Sequence, residues 1–493
     1  MIDAVVIVIL SSLILAIFAH LFLRRTKLPP GPFPLPLVGN LPYLSYLSYK
    51  NGGVKYGPVF TVWFGPVPTV HITDLEIAQH AMIKQGANFV DRWVPLLFTL
   101  PRNGFGLITS SGKVWQDHRR FSQHTLRNFG IGRNIIEEKI MEEFNLKFDE
   151  VDRQIQKSGC HVVDPQPLVD VLVGSVINRV LFSESFDNSN DYFFVLKENL
   201  NKSLSRLTFL DTFVYKFMLS FPLIRGRYEE ILKPFYQLKD YFRNQFQQRK
   251  TSVESGKHVL EGEGRDYVDA YMIKMMEEME GNQEETTFTE EALLTNLLDL
   301  WIAGQETTTM TILSGIINLI NYPEAMDKAR EEIKRVTGNN RPLSLLDRPT
   351  TTYLNATITE IQRLASVVNF NLWRRSSEDS NVGSFTIPGG ITIAAQLSVL
   401  LSDSDHFKKH NEFDPSRYLK EERLDQHVVP FGIGKRSCLG ESLARAELHL
   451  IIGNLLQRYQ ISAVDGLPSR EPMNPNGVVR KPKPFLFSLF KNI

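Results

Sequence analysis

Ten residues near the C-terminus decide how this sequence is interpreted: Phe431-Gly432-Ile433-Gly434-Lys435-Arg436-Ser437-Cys438-Leu439-Gly440. They place one cysteine in a glycine-rich loop, directly before an amphipathic run from Glu441 to Leu448. A free cysteine has a pKa of about 8.5, and nearby cations or helix N-terminal amides lower it. We therefore expect Lys435, Arg436 and the amides of the following helix to favour the Cys438 thiolate, which can bind a metal. Gly434 and Gly440 are expected to let the backbone pass close to a flat group.

A phosphate site, a zinc site and a purely structural cysteine each suit this loop less well. A phosphate-binding loop requires Gly-x-x-x-x-Gly-Lys followed by Ser or Thr, but Val429 stands at the first glycine and Arg436 follows the lysine. A zinc site requires about four ligands, and the chain has only two cysteines, Cys160 and Cys438. A buried structural role is the ordinary interpretation of a lone cysteine, and it suits Cys160.

The spacing Phe-x-x-Gly-x-Arg-x-Cys-x-Gly resembles the haem-binding loop of the cytochrome P450 superfamily, and every fixed position is filled. This resemblance implies a haem cofactor whose iron is bound by Cys438. It also implies that Phe431, Gly434 and Arg436 belong to the cofactor-binding set.

A long helix is predicted upstream of this loop. Thr287-Phe288-Thr289-Glu290 has a capping-box pattern, and helical spacing then continues to Asn321, which gives about 30 residues. Inside this helix lies Ala303-Gly304-Gln305-Glu306-Thr307-Thr308. Its small residues are expected to leave room beside the helix, and the Thr307 hydroxyl can bond back to the Ala303 carbonyl.

The ordinary alternative for this segment is a helix with a glycine kink and a solvated glutamate. Together with Cys438, however, the segment resembles the oxygen-activation motif of the same family. The resemblance implies that Glu306 and Thr307 are catalytic and deliver protons.

Two further motifs occur in family order. Trp115 and Arg119 lie four residues apart, so a helix would bring an indole and a guanidinium to one carboxylate, although Trp115 alone is equally typical of a packed core. The pair resembles the family's haem-propionate residues. Arg374 lies where a third such residue is expected, with Arg375 as an adjacent competitor.

Glu360 and Arg363, followed by Arg417, resemble the family's buried Glu/Arg/Arg triad. Tyr418 stands where phenylalanine is usual, so its hydroxyl needs a partner if it is buried. A small hairpin is predicted for Phe60 to Phe64 and Thr69 to Ile72, around the Gly65-Pro66 turn.

The N-terminus carries a predicted membrane anchor. Ala4 to Leu23 has no formal charge and would span about 30 Å as a helix. Arg24, Arg25 and Lys27 follow it and should stay cytoplasmic. We predict a transmembrane signal-anchor at 1–23, a basic flank and proline-rich hinge at 24–42, and a haem-thiolate catalytic domain at 43–493. The apolar segment 213–224 is expected either to dip into lipid or to pack in the core.

The composition limits the partners. Lys+Arg and Asp+Glu both number 55 and the pI is near 7.2, so no net field favours nucleic acid. The predicted fold class is mainly α with a small β region, a cytochrome P450 fold with one N-terminal transmembrane helix. The run Thr125-Leu126-Arg127-Asn128-Phe129-Gly130 resembles the animal microsomal families that oxidise drugs and fatty acids. With the anchor and the proline-rich hinge, this resemblance implies the endoplasmic-reticulum membrane, with the catalytic domain on the cytosolic face.

The predicted function is a haem-thiolate monooxygenase that inserts one oxygen atom from dioxygen into an apolar organic substrate. No nucleotide-binding glycine motif is present, so the resemblance implies a separate NADPH-cytochrome P450 reductase, with cytochrome b5 as a further candidate partner. The alternatives are an electron-independent peroxide isomerase or dehydratase and a haem-binding protein without turnover. By family position the pocket draws on residues 93–105, 203–213, 298–304, 367–372 and 474–478.

Overall fold

The computed structural model describes residues 22–36, 38–40, 49–129, 134–185, 191–207, 214–281, 286–475 and 478–492, together with residues 12, 16, 19 and 211. The predicted anchor at 1–23 therefore lies almost entirely outside the described residues. In the part of the chain that the structure does describe, no helix is long and apolar enough to cross a membrane.

Helices make up most of the described chain. Their bounds are α1 Tyr49–Tyr56, α2 Leu75–Gln79, α3 Leu96–Thr99, α4 Gly112–Asn128, α5 Asn134–Ser158, α6 Pro165–Phe182, α7 Asp191–Ser205, α8 Pro222–Glu254, α9 Tyr267–Glu280, α10 Glu290–Asn321, α11 Pro323–Thr337, α12 Thr352–Ala365, α13 Leu397–Leu400, α14 Arg417–Lys420 and α15 Glu441–Arg458. The mainly helical class predicted from the sequence is confirmed.

The strands among the described residues are short and form three small sheets. Their bounds are β1 Val59–Phe64, β2 Val67–Ile72, β3 His161–Val163, β4 Arg374–Arg375, β5 Ser380–Val382, β6 Phe385–Ile387, β7 Thr392–Ala395, β8 Tyr459–Ala463 and β9 Phe487–Lys491. The sheet orders are β1-β2-β7-β4, β3-β9-β8 and β5-β6. All pairs are antiparallel except the parallel pair of β2 with β7.

The chain divides into two compact units. The first comprises residues 1–93, 368–408 and 429–437, and the second comprises residues 94–367, 409–428 and 438–493. The first unit contains the four-stranded sheet, and its β1–β2 pair confirms the predicted hairpin around Gly65-Pro66. The second unit contains most of the helices and the β3-β9-β8 sheet.

The proline-rich segment of the first unit packs along strand β1. The Thr61 amide donates to the Pro30 carbonyl at 2.9 Å, and the Asn40 amide donates to the Trp63 carbonyl at 2.8 Å. A Cβ at Gly31 would lie 2.0 Å from the Thr61 carbonyl oxygen, so only glycine permits this approach. Part of the predicted hinge segment thus pairs with strand β1.

The predicted long helix is α10, which has 32 residues and ends at Asn321 as expected. Its N-cap differs from the prediction. Thr289 caps the helix by accepting from the Ala292 amide at 3.2 Å, whereas the Thr287 hydroxyl donates to Asp117 at 3.1 Å. The cap therefore lies two residues after the predicted one, and Thr287 has another partner.

A buried ionic cluster joins α12 to the segment that leads into α14. The Glu360 carboxylate accepts from Arg363 at 2.8 Å and from Arg417 at 3.1 Å. The Tyr418 hydroxyl donates to the same carboxylate at 2.7 Å, so the residue that departs from the usual phenylalanine has the partner that it needs. Removing one member of a buried ion pair typically costs about 3–5 kcal/mol, so this cluster is a strong tie between its two segments.

Candidate active site

The second unit contains the predicted metal ligand. Cys438 lies just before α15, whose N-cap is Gly440. The side chain of Cys438 is exposed, and a Cβ at Gly440 would meet no atom within 4 Å. An accessible sulfur next to an open glycine can be approached by a flat ligand, as predicted for Gly440.

The groups that act on the charge of Cys438 agree only in part with those predicted, because the amide at the start of the following helix is among them and Lys435 and Arg436 are not. The side chain keeps an accessible side, but the surrounding protein removes most of the water that would solvate a thiolate. This desolvation raises the pKa of Cys438 above its ordinary value. The Gly440 amide and the Arg119 guanidinium oppose the rise, and Glu441 adds to it. The expectation that Lys435 and Arg436 would favour the thiolate is thus wrong in its cause, because the acting cation is Arg119. Metal binding must therefore displace a proton from the thiol.

Helix α4 carries the predicted propionate pair. Trp115 is buried and Arg119 is half-buried, and they are one helical turn apart. Burial lowers the pKa of Arg119, while the Cys438 sulfur raises it. The charges of Arg119 and Cys438 therefore influence each other across the second unit.

Helix α10 has the predicted hydrogen bond at Thr307. Its hydroxyl donates to the Ala303 carbonyl at 2.7 Å, while Ala303 itself is exposed. Gly304 differs from the expectation of an open side, because a Cβ there would lie 3.0 Å from the Ile177 Cδ1 of α6. Gly304 therefore allows α6 and α10 to pack closely, and Ala303 is the small residue with an accessible side.

Glu306 is buried within an ionic network of the second unit. Its carboxylate pairs with the ammonium of Lys197 on α7 and lies 3.4 Å from that of Lys481. Burial alone would raise the pKa of Glu306, but the two lysines outweigh it and hold the pKa below its ordinary value. Lys197 also lies 3.4 Å from Asp170 on α6. The predicted alternative of a solvated glutamate is wrong.

The first unit contains the glycine-rich half of the cysteine loop. Gly432 and Gly434 have φ angles of 78° and 84°, which favour glycine. A Cβ at Gly434 would lie 2.1 Å from the Met82 carbonyl oxygen. Gly434 therefore serves close backbone packing against residue 82, which differs from the predicted approach of a flat group. Phe431 is half-buried in the same loop.

Two buried arginines of the first unit are associated with this half of the loop, Arg374 from strand β4 and Arg436 from the loop itself. Arg374 is buried, and its guanidinium donates to Asn371 at 3.1 Å. Asn371 donates in turn to the Ile433 carbonyl at 3.1 Å. Arg375 is exposed, because successive strand residues face opposite sides, so Arg374 is the residue that lies toward the loop. Arg436 is also buried and donates to the Val90 carbonyl at 2.9 Å.

Sequence reasoning missed several buried groups around α10. Asp299 accepts from Arg102 at 2.7 Å and from the Ile108 amide at 2.8 Å, which fixes the segment after α3. Glu447 on α15 is fully buried, and the Thr308 hydroxyl donates to it at 3.4 Å. Burial raises the pKa of Glu447 to about 8. No local motif marks these residues, because their partners are distant in sequence.

The comparisons with known proteins agree with this site. The family model described as Cytochrome P450 matches residues 29–489. A probable cytochrome P450, cyp-35D1 of Caenorhabditis elegans, is 35% identical over 97% of this chain and 98% of its own length. Cytochrome P450 2C8 of Homo sapiens and Cytochrome P450 2C2 of Oryctolagus cuniculus are each 34% identical, over 90% and 92% of this chain and the same shares of their own lengths.

These features are typical of the haem-thiolate class of proteins. They are an accessible cysteine, a helix in which a threonine bonds back to its own backbone, and buried arginines. The chain belongs to the cytochrome P450 family, so it is an oxidoreductase of the monooxygenase class with haem as its cofactor. The residues of the second unit fit that group, because the Cys438 sulfur suits iron and the Arg119 guanidinium suits an anionic propionate.

The raised pKa of Glu447 predicts how stability depends on pH. A carboxyl that is protonated in the fold stabilises the protein fully below its unfolded pKa, and this contribution is lost as the pH rises toward the folded pKa. Between its ordinary pKa of 4.5 and pH 7, a folded pKa of about 8 corresponds to a loss of roughly 3 kcal/mol. We expect Glu447→Gln to flatten the decline of the thermal unfolding midpoint between about pH 5.5 and about pH 8.

The matched control is Glu331→Gln, at an exposed position, which should follow the wild-type profile. Parallel profiles of wild type and Glu447→Gln would show that Glu447 is ionised in the fold.

Proposed function

We propose that this chain is a membrane-anchored haem-thiolate monooxygenase that inserts one oxygen atom from dioxygen into an apolar organic substrate and takes electrons from an NADPH-dependent reductase. The observation that carries the proposal is the pairing, in one compact unit, of the accessible Cys438 next to Arg119 with the Thr307 hydroxyl bonded to the exposed Ala303. Cys438 is the proposed iron ligand. Trp115, Arg119, Arg374 and Arg436 are the proposed haem-binding side chains, and Phe431 and Gly434 shape the loop.

A haem held by Cys438 would supply the redox chemistry and the activation of dioxygen. The role of Thr307 is to hold and move a proton at its Oγ1. In the resting arrangement that proton points to the Ala303 carbonyl. Rotation about χ1 or of the hydroxyl turns this hydrogen away from the carbonyl, so the hydroxyl can act as a donor. A proton that it transfers must be replaced from solvent water, after which the bond to the Ala303 carbonyl can form again.

Glu306 is the second proposed catalytic residue. Two lysine ammonium groups hold its carboxylate ionised, which supports a role as a proton acceptor in the paired arrangement. It can pass a proton onward only after protonation, which weakens its pairs with Lys197 and Lys481. The network therefore limits when a proton can reach Thr307 through this acid.

A separate electron donor is part of the proposal. The exposed side of α4 carries Arg120 and Arg127, which are seven residues apart and so lie on one face. Neither makes an ion pair with a residue that the structure describes. Positive charge on the helix that also carries Arg119 suits an acidic flavoprotein partner, namely NADPH-cytochrome P450 reductase or, as a further candidate, cytochrome b5.

We also propose the predicted location: an anchor at 1–23, a flank and hinge at 24–42, and a catalytic domain at 43–493 on the cytosolic face of the endoplasmic reticulum. A second membrane contact is supported by the start of α8 and the turn before it. There Phe217 is 70% exposed, Phe221 57% and Leu223 90%. Such side chains suit burial at a lipid interface, and they are not packed in the core.

Glu306 and Thr307 favour the monooxygenase over its two alternatives, because neither an electron-independent peroxide isomerase nor a haem carrier needs a proton supply. The alternatives also differ in a measurable way, since only the monooxygenase consumes NADPH in the presence of reductase.

The first test concerns the iron ligand and the substrate. Cys438→Ser should abolish the long-wavelength Soret band of the reduced, carbon-monoxide-treated protein, because a serine oxygen cannot replace the thiolate. Incubation with reductase, NADPH and a panel of lipids and foreign compounds should give oxygenated products by mass spectrometry, and Cys438→Ser should not. Cys160→Ser is the matched control and should retain both the band and the products. An unchanged band in Cys438→Ser would refute the proposed ligand.

The second test concerns proton delivery. Thr307→Ala should keep haem and substrate binding but lower the product formed per NADPH, by about tenfold or more, because electrons are diverted to hydrogen peroxide or water. Thr311→Ala is the matched control, since the Thr311 hydroxyl makes the same type of bond, to the Thr307 carbonyl at 2.8 Å. If the two variants are equally coupled, Thr307 has only a structural role.

The third test concerns the reductase. Arg120→Glu combined with Arg127→Glu should slow reductase-driven turnover, more strongly at low salt, while turnover driven by added hydrogen peroxide stays near normal. Lys157→Glu combined with Lys233→Glu reverses the same number of charges at other exposed positions and should have little effect. Equal losses in both assays would assign the α4 arginines to folding or haem binding instead.

A further inference from the structure

His118 lies between the two proposed propionate residues on α4 and is fully buried. Its Nε2 donates to the Thr287 carbonyl at 2.9 Å, and the Asn296 amide Nδ2 donates to its Nδ1 at 2.8 Å. Asn296 is itself fully buried on α10. One imidazole ring therefore links the helix that carries Arg119 to the helix that carries Thr307, and also to the segment before α10.

The partners of the ring fix its tautomer. A carbonyl oxygen can only accept, so Nε2 must carry the hydrogen that faces Thr287. In a neutral ring Nδ1 is then the acceptor, so Asn296 must present its NH₂ group. Burial lowers the pKa of His118 and outweighs the opposing effects of the Thr287 carbonyl and the Asp117 carboxylate, so the ring is neutral at pH 7.

Packing holds the ring in this plane. The Phe288 ring lies 4.7 Å from the imidazole and the Tyr271 ring lies 5.9 Å from it, centroid to centroid. The ring can neither turn over nor swing to solvent without breaking these contacts. Because successive helical residues are about 100° apart around the axis, fixing the direction of His118 fixes that of Arg119, the next residue.

We propose that His118 is a positioning residue of the haem site: through Asn296 and Thr287 it sets the rotation of α4 about its axis and so holds Trp115 and Arg119 in the orientation that binds the propionates. This inference rests on the proposed haem-binding role of Trp115 and Arg119. His118 itself does not touch the reacting atoms. Residues that orient a ligand from outside the first contact layer typically contribute about 10- to 100-fold to affinity or activity.

The test uses the full-length, haem-loaded protein and two measurements, the rate of haem transfer to excess apomyoglobin and the ferric–ferrous midpoint potential. His118→Leu should accelerate haem loss about tenfold and shift the potential in the same direction as Arg119→Gln. In His118→Gln the amide can still donate to the Thr287 carbonyl. The logarithm of its haem-loss rate should therefore lie at least halfway back from the His118→Leu value to the wild-type value. Asn296→Leu keeps the bond from His118 to Thr287, so it should accelerate haem loss less than His118→Leu does. The double variant should be no worse than His118→Leu alone, because both changes remove the same link between His118 and Asn296.

Ser122→Ala is the matched control. Ser122 lies on the same buried face of α4, and its hydroxyl bonds to Tyr267 of α9 at 2.9 Å. It should lower the thermal midpoint without changing haem loss or the potential. The positioning role is overturned if His118→Leu and Ser122→Ala lose haem at equal rates while Arg119→Gln loses it faster than wild type. It is also overturned if the effects of His118→Leu and Asn296→Leu on the haem-loss rate are additive. If Arg119→Gln loses haem at the wild-type rate, the proposed propionate role fails, and the inference fails with it.

Discussion

Helix α10 is buried along most of its 32 residues, so each polar side chain on it needs a partner from a neighbouring segment. An unsatisfied buried polar group costs about 1–3 kcal/mol, and a charged one costs more. The partners come from different parts of the second unit: Asn296 bonds to His118, Asp299 to Arg102, Gln305 to Asp170, Glu306 to Lys197, and Thr308 to Glu447. The positions of α4, α6, α7, α15 and the segment after α3 are thus all tied to one helix. A shift of any of them would leave a buried polar group without its partner.

This constraint also accounts for the short accessible part of α10. Ala303 is exposed and Thr307 is half-buried, whereas the residues from Thr308 to Leu313 are all buried. The helix can present a hydroxyl to a reacting group only where no neighbouring side chain covers it. The Ile177 side chain of α6 occupies the space next to Gly304, so the backbone at this turn cannot move toward α6. The Thr307 hydroxyl is therefore held at a defined position by the same packing that buries the rest of the helix.

Local patterns predicted the elements whose cause is local. The β1–β2 hairpin, the end of α10 and the bond from Thr307 to Ala303 depend on residues within a few positions of one another, and all were predictable. The cap at Thr289 was not predictable in this way, because the Thr287 hydroxyl bonds instead to Asp117, which is 170 residues away in sequence. The cation beside Cys438 is Arg119 rather than Lys435 for the same reason. Nearness in sequence says little about which charge reaches a side chain once the fold has brought distant helices together.

The environments of Glu306 and Glu447 show why residue type alone does not define a proton-transfer group. Both glutamates are buried, and they are associated with α10 within two residues of each other, Glu306 directly and Glu447 through Thr308. Two ammonium groups hold the pKa of Glu306 below its ordinary value, whereas Glu447 has only a hydroxyl partner and a pKa of about 8. At pH 7 the first is an ionised acceptor and the second a protonated acid. Environments that separate two pKa values in this way separate the roles that two identical side chains can take, and here the separation falls on either side of Thr307.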